Sequence, residues 1–293
     1  MSGPRNLLAL SLAVLLGATI GPLLTPHLSA LTTHPLITPH LTTLLSRLPF
    51  LPTPVPPPAP PSCPPSLHRT TILSLSPLLL LLTNFTTPSE NTHLIDLATP
   101  LLTPSPLVGA SAASNPQART SWSAPLPLAD TTVTCLLARA RSVLGSVLVP
   151  GRDDMGGAPQ LVRYTPGQKF DVHTDWFRKP RVLDEDRGSG RRRMYNRVAT
   201  VFVVVQSNCS EGSGETWFPR VKAPAPGEGG WWREHEEGGV AVRAAEGNAL
   251  LWVNLEGETG RGDERVVHAG LEVVGGTKHA VNIWPRVFFG PDA

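Results

Sequence analysis

The stretch Tyr164-Thr-Pro-Gly167-Gln-Lys-Phe170-Asp-Val-His173-Thr-Asp175 places a histidine and a carboxylate two residues apart. In a β-strand, residues i and i+2 point to the same face of the sheet. The spacing therefore predicts that His173 and Asp175 converge on one point from a single strand. An imidazole and a carboxylate in this relation supply part of a metal-binding set.

A second histidine lies near the C-terminus, in Val267-His268-Ala-Gly270. Two imidazoles and one carboxylate on one side of a metal ion leave its other positions open, and this is the ligand set of non-haem Fe(II) oxygenases. Lys278, one of only four lysines in the chain, follows soon after His268. Its ammonium group can pair with a carboxylate of a small co-substrate.

The composition divides the chain into two parts. Residues 1–110 carry five charged side chains, against 25 basic and 23 acidic ones in the whole chain, and 20 of its 32 prolines. Residues 111–293 have the charge content of an ordinary globular domain. A net charge of +2 gives no reason to expect a nucleic-acid partner, since such binding depends on a basic surface.

The N-terminal part predicts targeting and linking segments. Residues 6–24 are almost wholly apolar, which is typical of a signal peptide or an uncleaved signal anchor. A mitochondrial presequence is the alternative, and the scarcity of arginine disfavours it. Residues 25–67 are rich in Pro, Thr, Ser and Leu, and this proline density favours an extended polyproline II linker over a ligand for a proline-binding partner. We therefore divide the chain into 1–24, 25–67 and a domain of residues 68–293. We expect the protein in the endoplasmic reticulum or secretory pathway, either anchored in the membrane through 6–24 or released by cleavage of that segment.

Three cysteines and two sequons add little to this division. Cys63, Cys135 and Cys209 allow one disulfide, whose partners the sequence does not identify. Asn84 and Asn208 each begin a glycosylation sequon. Such triplets arise often by chance, so occupancy of either site stays open.

Hydrophobic spacing predicts helices first and strands afterwards. One helix is predicted to begin at Thr87 or Ser89 and to run through Ala98. Asp130 fits the N-cap of a second helix that carries Val133, Leu136, Leu137 and Ala140. Short strands between glycine-rich turns are predicted at Leu78–Leu82, Leu161–Tyr164, Val198–Gln206, Val240–Ala244, Ala249–Val253 and Ala280–Trp284. This order indicates an α+β fold, with a double-stranded β-helix (jelly roll) supported by N-terminal helices.

Five blocks follow one another in the C-terminal part of the chain. They are Tyr164 to Asp175, Arg197-Val-Ala-Thr200-Val-Phe-Val, Gly214-Glu-Thr216-Trp-Phe218-Pro219, Glu246-Gly-Asn248-Ala-Leu-Leu-Trp252, and His268 through Lys278 to Trp284. In this order and spacing they resemble the catalytic domain of the prolyl 4-hydroxylase family. The resemblance covers about residues 70–293, and the segment 260–263 with Asn254 and Asn282 resembles that of fungal members.

The resemblance implies an Fe(II)- and 2-oxoglutarate-dependent dioxygenase that converts 2-oxoglutarate to succinate, with ascorbate as the reductant of the iron. His173, Asp175 and His268 are then the expected iron ligands. Lys278 is expected to pair with the distal carboxylate of 2-oxoglutarate.

Five further positions match the family's binding residues. Tyr164 and Thr216 occupy positions whose hydroxyl groups add hydrogen bonds to the 2-oxoglutarate carboxylate. Phe170, Arg197 and Trp284 occupy positions that face the peptide substrate. The implied partner is a proline-containing peptide or protein, and aromatic faces bind extended proline-rich segments well.

Two other functions stay open at this point. The same chemistry could act on a lysyl residue or a small metabolite, or the fold could serve as a non-catalytic binding module. The complete ligand set and Lys278 favour an enzyme over a binding module.

Other charged and histidine residues of the domain do not indicate a function as clearly. The segment Arg187–Arg193 is predicted as a loop between strands, either a solvated charge cluster or a lid that closes on substrate. His235 lies in a charged loop and is not predicted as a ligand. His279 is next to Lys278, so in a strand it points to the opposite face.

Overall fold

The structure, a computed structural model, describes residues 63–64, 67–106, 116–186, 188, 190–225 and 229–290. The apolar segment 6–24 and most of the proline-rich linker lie outside these residues, as do two positions of the predicted 187–193 loop. No helix within the described ranges is long and apolar enough to cross a membrane.

Two α-helices occur in the described residues, α1 (Pro88–Ala98) and α2 (Thr131–Leu144). Helix α1 begins after Thr87, whose hydroxyl accepts the backbone N–H of Glu90 while the Glu90 carboxylate accepts the backbone N–H of Thr87. This reciprocal pair is a capping box. Asp130 caps α2 by accepting the backbone N–H of the third helical residue at 3.1 Å. Both predicted helices are thus confirmed.

Most of the remaining regular structure is β-strand. The strands are β1 Arg69–Leu75, β2 Leu78–Thr83, β3 Thr103–Pro104, β4 Trp122–Pro125, β5 Gln160–Tyr164, β6 Phe170–His173, β7 Arg181–Val182, β8 Met194–Arg197, β9 Ala199–Ser207, β10 Thr216–Phe218, β11 Trp232–Glu234, β12 Val240–Val242, β13 Ala249–Val253, β14 Leu255–Glu256, β15 Arg261–Gly262, β16 His268–Gly270, β17 Lys278–Ile283 and β18 Arg286–Phe289. Short 3₁₀ helices lie at Thr99–Leu101, Pro116–Ala118, Gly145–Val147, Asp184–Asp186, Gly257–Thr259 and Glu264–Val266. Each of the six predicted strands is present, with ends that differ by at most two residues.

Two larger sheets form the body of the fold. The major sheet has the order β1-β2-β13-β9-β17-β5-β4-β3, and the minor sheet has the order β11-β12-β10-β16-β6. The central strands β13, β9, β17 and β5 pair antiparallel. Strands that are neighbours in a sheet are therefore often distant in sequence. The predicted α+β fold, with a jelly-roll core and supporting helices, is confirmed.

Alternate residues of the major sheet pack into two different cores. On β9, Val201 and Val203 pack against the helices, whereas Phe202 and Val204 pack between the two sheets. This division follows from the two-residue period of a strand. Strands buried on both faces read as continuous apolar runs, which is why β9 lacks a polar alternation.

One disulfide joins Cys63 to Cys135, a residue of α2, and closes a sequence separation of 72 residues. Cys209 is free and half-buried. The structure thus identifies the partners that the spacing of the three cysteines left open.

Candidate active site

Strand pairing brings the two predicted ligand histidines together. His173 ends β6, His268 begins β16, and the two residues are directly opposite one another in the minor sheet. Their ring centroids are 4.3 Å apart. The ligand atoms of His173, Asp175 and His268 all lie within 4.8 Å of one another.

Asp175 reaches this cluster in a different way from the one predicted. Strand β6 ends at His173, so the expectation that both residues project from one strand is wrong. Asp175 lies in a bend two residues beyond the strand, yet it is buried. Its Oδ1 is 3.8 Å from His173 Nε2, and its Oδ2 is 3.7 Å from His268 Nε2.

Both imidazoles are oriented by backbone carbonyl groups. His173 Nδ1 lies 2.8 Å from the carbonyl oxygen of Asp171, and His268 Nδ1 lies 3.0 Å from that of Val266. A proton on each Nδ1 satisfies these carbonyls and leaves the Nε2 lone pairs directed at the cluster, as metal-binding histidines require. The donor set of two nitrogens and one carboxylate therefore fits Fe(II).

The charge states of these groups also suit a metal. Burial and the neighbouring His268 lower the pKa of His173 well below its usual range, so its imidazole is neutral at pH 7. Burial alone raises the pKa of Asp175, but His268, His173 and Arg197 outweigh it and hold this pKa below its usual range. The cluster thus presents a charged carboxylate beside a neutral imidazole.

Lys278 lies on β17, opposite Tyr164 of β5. Its side chain is buried, and Nζ donates a hydrogen bond of 2.7 Å to the carbonyl oxygen of Gly214. Burial lowers the pKa of Lys278 to about 8. Gly214 has a positive φ, and a Cβ there would lie 3.1 Å from Cys209 Sγ and 3.7 Å from Lys278 Cδ. Glycine is therefore favoured at this position beside the lysine side chain.

Tyr164 and Thr216 are also buried at this end of the sheets. Thr216 is opposite Gly270 in the minor sheet. The Tyr164 hydroxyl lies 3.8 Å from the position of a Cβ built on Gly270. The structure thus brings both hydroxyl-bearing residues to the strand β16 that begins with His268, and their predicted hydrogen bonds to 2-oxoglutarate stay a prediction.

The three residues predicted to face substrate all contact ligand residues, and their role toward substrate stays a prediction. Phe170 stacks on His173, with centroids 3.5 Å apart. The Arg197 guanidinium lies 3.7 Å from the centroid of the Trp284 ring and donates to the backbone carbonyl of Asp175 at 3.3 Å. Burial lowers the pKa of Arg197 to about 10, so it stays charged at neutral pH.

A cleft of about 490 Å³ opens beside these residues. Arg197 and Trp284 form part of its wall together with Tyr195, Gln160 and Asp184. Positive, negative and aromatic groups thus line this cleft, and two of its residues, Arg197 and Trp284, also bond to Asp175.

Sequence reasoning missed two buried polar residues near Asp175. Thr200 donates to Asp175 Oδ2 at 2.7 Å, and Asn254 donates to Thr200 Oγ1 at 3.0 Å. Thr200 is the polar residue of an otherwise apolar run in β9, and this break in the pattern was the available signal. His279 is on the opposite face of β17 from Lys278, as predicted, and is not part of the metal-binding cluster.

The fold and the site define an Fe(II)- and 2-oxoglutarate-dependent oxygenase. The 2OG-Fe(II) oxygenase superfamily matches residues 159–286, which include the three cluster residues and Lys278. Iron and 2-oxoglutarate, with the ascorbate that is typical of the family, are therefore its cofactors and co-substrate.

Two similar proteins identify a particular family within this class of oxygenases. Probable prolyl 4-hydroxylase 10 of Arabidopsis thaliana is 30% identical over 224 residues, which cover 74% of this chain and 71% of the relative. Prolyl 4-hydroxylase 1 of the same organism is 28% identical over 217 residues, which cover 73% of this chain and 71% of that protein. The chain belongs to the prolyl 4-hydroxylase family.

A solved structure supports the same fold. The viral collagen prolyl hydroxylase of Paramecium bursaria Chlorella virus-1, in its 2OG complex, aligns with a TM-score of 0.51 and 21% identity. The alignment covers 71% of this chain and 96% of the viral protein. The resemblance to fungal members is tested by none of these relatives and stays a prediction.

Proposed function

We propose that this protein hydroxylates proline residues of peptides, using 2-oxoglutarate and dioxygen and releasing succinate and carbon dioxide. The observation that carries the proposal is the grouping of His173, Asp175 and His268 within 4.8 Å, in a fold that also buries Lys278. The family relatives named as prolyl 4-hydroxylases support proline as the substrate.

Bound Fe(II) supplies the chemistry that couples oxidative decarboxylation of 2-oxoglutarate to insertion of one oxygen atom into a C–H bond. The protein supplies binding and orientation. The Nε2 atoms of His173 and His268 and one oxygen of Asp175 would hold the metal. The charge of the carboxylate would partly balance that of the ion, and the burial of Asp175 and His268 would limit access of bulk water.

Lys278 selects the co-substrate through its charge. Its pKa of about 8 leaves the ammonium mostly protonated at pH 7, and a carboxylate placed beside it stabilises the proton further. Tyr164 and Thr216 provide hydroxyl donors for the same carboxylate. Co-substrate binding should therefore weaken as the pH rises above about 8.

The cleft beside the cluster suits an extended peptide. Tyr195 and Trp284 line it with aromatic surface, and such surfaces bind polyproline II segments because these segments are already ordered before binding. Arg197 lines the cleft and donates to the Asp175 carbonyl, and Phe170 stacks on His173. The peptide proline would thus reach the metal across residues that the sequence had marked for substrate.

The test is mass spectrometry of a proline-rich peptide incubated with the protein, Fe(II), 2-oxoglutarate and ascorbate. We expect hydroxyproline and an equal amount of succinate, with neither formed by His268→Ala. A matched peptide with alanine in place of proline is the substrate control. Turnover of 2-oxoglutarate without hydroxyproline would favour a lysyl or small-metabolite substrate, and no turnover would favour a binding module.

We also propose that the protein acts in the endoplasmic reticulum and is anchored there through residues 6–24. The apolar sequence of this segment and the disulfide between Cys63 and Cys135 support the proposal, since disulfides persist mainly in oxidising compartments. Tagged full-length protein should sediment with membranes, and its catalytic domain should resist added protease in sealed vesicles. A protease-accessible cytosolic protein would refute this location.

A further inference from the structure

The two oxygens of the Asp175 carboxylate have different surroundings. Oδ2 accepts a hydrogen bond of 2.7 Å from the Thr200 hydroxyl and one of 3.0 Å from the Trp284 indole N–H. Oδ1 takes part in neither of these bonds. Each oxygen lies near one ligand nitrogen, Oδ1 at 3.8 Å from His173 Nε2 and Oδ2 at 3.7 Å from His268 Nε2, so the two donors are what distinguishes them. Thr200 belongs to β9 and Trp284 directly follows β17, so the two donors come from adjacent strands of the major sheet.

The Thr200 proton is directed at Asp175 by a third residue. Asn254 Nδ2 donates to Thr200 Oγ1 at 3.0 Å, and a hydroxyl that accepts this bond keeps its single proton for the carboxylate. The amide orientation follows from the chemistry, because an ionised carboxylate can only accept. Asn254 is itself fixed, since its backbone N–H donates to Val198 and its carbonyl accepts from Asp263, both at 2.8 Å.

Asn254 makes these bonds at a cost. Its Oδ1 is among the buried side-chain atoms that have no hydrogen-bond partner within the described residues. A buried polar atom without a partner is unfavourable. An apolar residue at this position would avoid that cost but would leave the Thr200 hydroxyl free to rotate.

Trp284 is held in place by a cation. The Arg197 guanidinium stacks on the indole ring at 3.7 Å and donates to the Asp175 carbonyl. Backbone and side chain of Asp175 are therefore both restrained by residues outside its own segment. These contacts orient Asp175, which lies outside the regular backbone of β6 because that strand ends at His173.

We propose that Thr200 and Trp284, with Asn254 behind Thr200, are positioning residues that commit Oδ2 of Asp175 to the protein and leave Oδ1 as the metal ligand. The inference rests on the metal site of the proposed function. It places Trp284 in the support of the metal site in addition to the wall of the cleft.

The proposal predicts weaker metal binding when a donor is removed. Outer residues that orient a metal ligand typically contribute roughly 10- to 100-fold to metal affinity. Thr200→Val removes the hydroxyl at nearly constant volume, and Trp284→Phe removes the indole N–H but keeps an aromatic face for Arg197. We expect each to weaken Mn(II) binding roughly 10-fold or more, and Thr200→Ser to retain affinity near that of the wild type.

The measurement is anaerobic titration of the metal-free protein with Mn(II), followed by electron paramagnetic resonance of the free ion. Two matched controls remove similar hydrogen bonds elsewhere. Thr86→Val removes the buried hydrogen bond of 2.7 Å that the Thr86 hydroxyl donates to Asn91 Oδ1. Trp217→Phe removes the hydrogen bond of 2.8 Å that the Trp217 indole N–H donates to the Gly238 carbonyl. Both controls should bind Mn(II) as the wild type does, and circular dichroism should show all variants folded.

The outcomes separate the inference from the proposed function. Wild-type Mn(II) binding with unchanged affinity in Thr200→Val and Trp284→Phe would overturn the inference alone. A higher peptide KM in Trp284→Phe at unchanged Mn(II) affinity would return Trp284 to substrate binding only. Equal losses in the controls would show a general effect of packing and would also overturn the inference. Failure of the wild type to bind Mn(II) would overturn the metal site itself.

Discussion

The buried Lys278 is predicted to destabilise the protein in the absence of 2-oxoglutarate. The side chain is 2% exposed, and burial lowers its pKa from 10.5 to about 8. At about 1.4 kcal/mol per pH unit, this difference corresponds to about 3 kcal/mol of folding free energy. The full penalty applies below pH 8, where the folded protein must carry the buried charge.

The pH dependence has a definite sign. Between pH 8 and about 10.5 the folded lysine has lost its proton while the unfolded lysine keeps it, so the unfolded chain binds more protons. The contribution of Lys278 to stability therefore becomes less unfavourable as the pH rises through this window. Lys278→Met keeps the length of the side chain and removes the charge.

We expect Lys278→Met to be more stable than the wild type at pH 7. Loss of the hydrogen bond to the Gly214 carbonyl costs about 1 kcal/mol, so the net gain is about 2 kcal/mol. The gain should fall by about 2–3 kcal/mol between pH 7 and pH 10. Urea unfolding of the metal-free and 2-oxoglutarate-free proteins at these pH values measures it, with Lys222→Met, a change at an exposed lysine, as the control.

The same variant should bind 2-oxoglutarate much more weakly. Loss of one partner of a buried charge pair costs about 2–5 kcal/mol, or roughly 30- to several-thousand-fold in affinity. Lys278→Arg keeps the charge but not the shape and should rescue poorly. A stability difference between wild type and Lys278→Met that does not change with pH would refute the buried-charge argument. An unchanged 2-oxoglutarate requirement would place the anchor elsewhere, with Arg197 or Arg286 as the next candidates.

Three further changes test the site and the fold. His268→Ala should abolish Fe(II) binding without loss of the circular dichroism spectrum, and retained iron affinity would contradict the ligand assignment. Cys63→Ser should lower the free energy of unfolding by about 4 kcal/mol, because the disulfide between Cys63 and Cys135 closes a long loop. Three titratable thiols in the native wild-type protein would show that this disulfide is absent. The buried Arg139 pairs with the half-buried Glu90 at 2.8 Å. Arg139→Met should therefore cost about 2–3 kcal/mol in urea unfolding at pH 7, because it removes hydrogen bonds to a charged group, and a change below about 1 kcal/mol would argue against this ion pair.

Local features of the chain were readable from the sequence. The capping residues Thr87 and Asp130 and the apolar runs of β9 and β13 depend on neighbours within a few positions, so the starts of both helices and the ends of six strands could be predicted to within two residues. The identities of His173, Asp175 and His268 were readable because they stand in five ordered blocks that resemble the family's catalytic domain, and because two imidazoles and a carboxylate are a known ligand set for Fe(II).

The arrangement of the site depended on the tertiary structure. Asp175 lies beyond the end of β6. Thr200 and Trp284 hold its side chain by hydrogen bonds, at sequence separations of 25 and 109 residues. Asn254 acts through Thr200 across a further 54 positions, and Cys63 finds Cys135 across 72. Such partners are chosen by strand order and by the packing of helices on the sheet, which bring distant residues to hydrogen-bonding distance. The sequence by itself therefore determined which groups do the chemistry, and the tertiary structure alone decided which oxygen of Asp175 is free to do it.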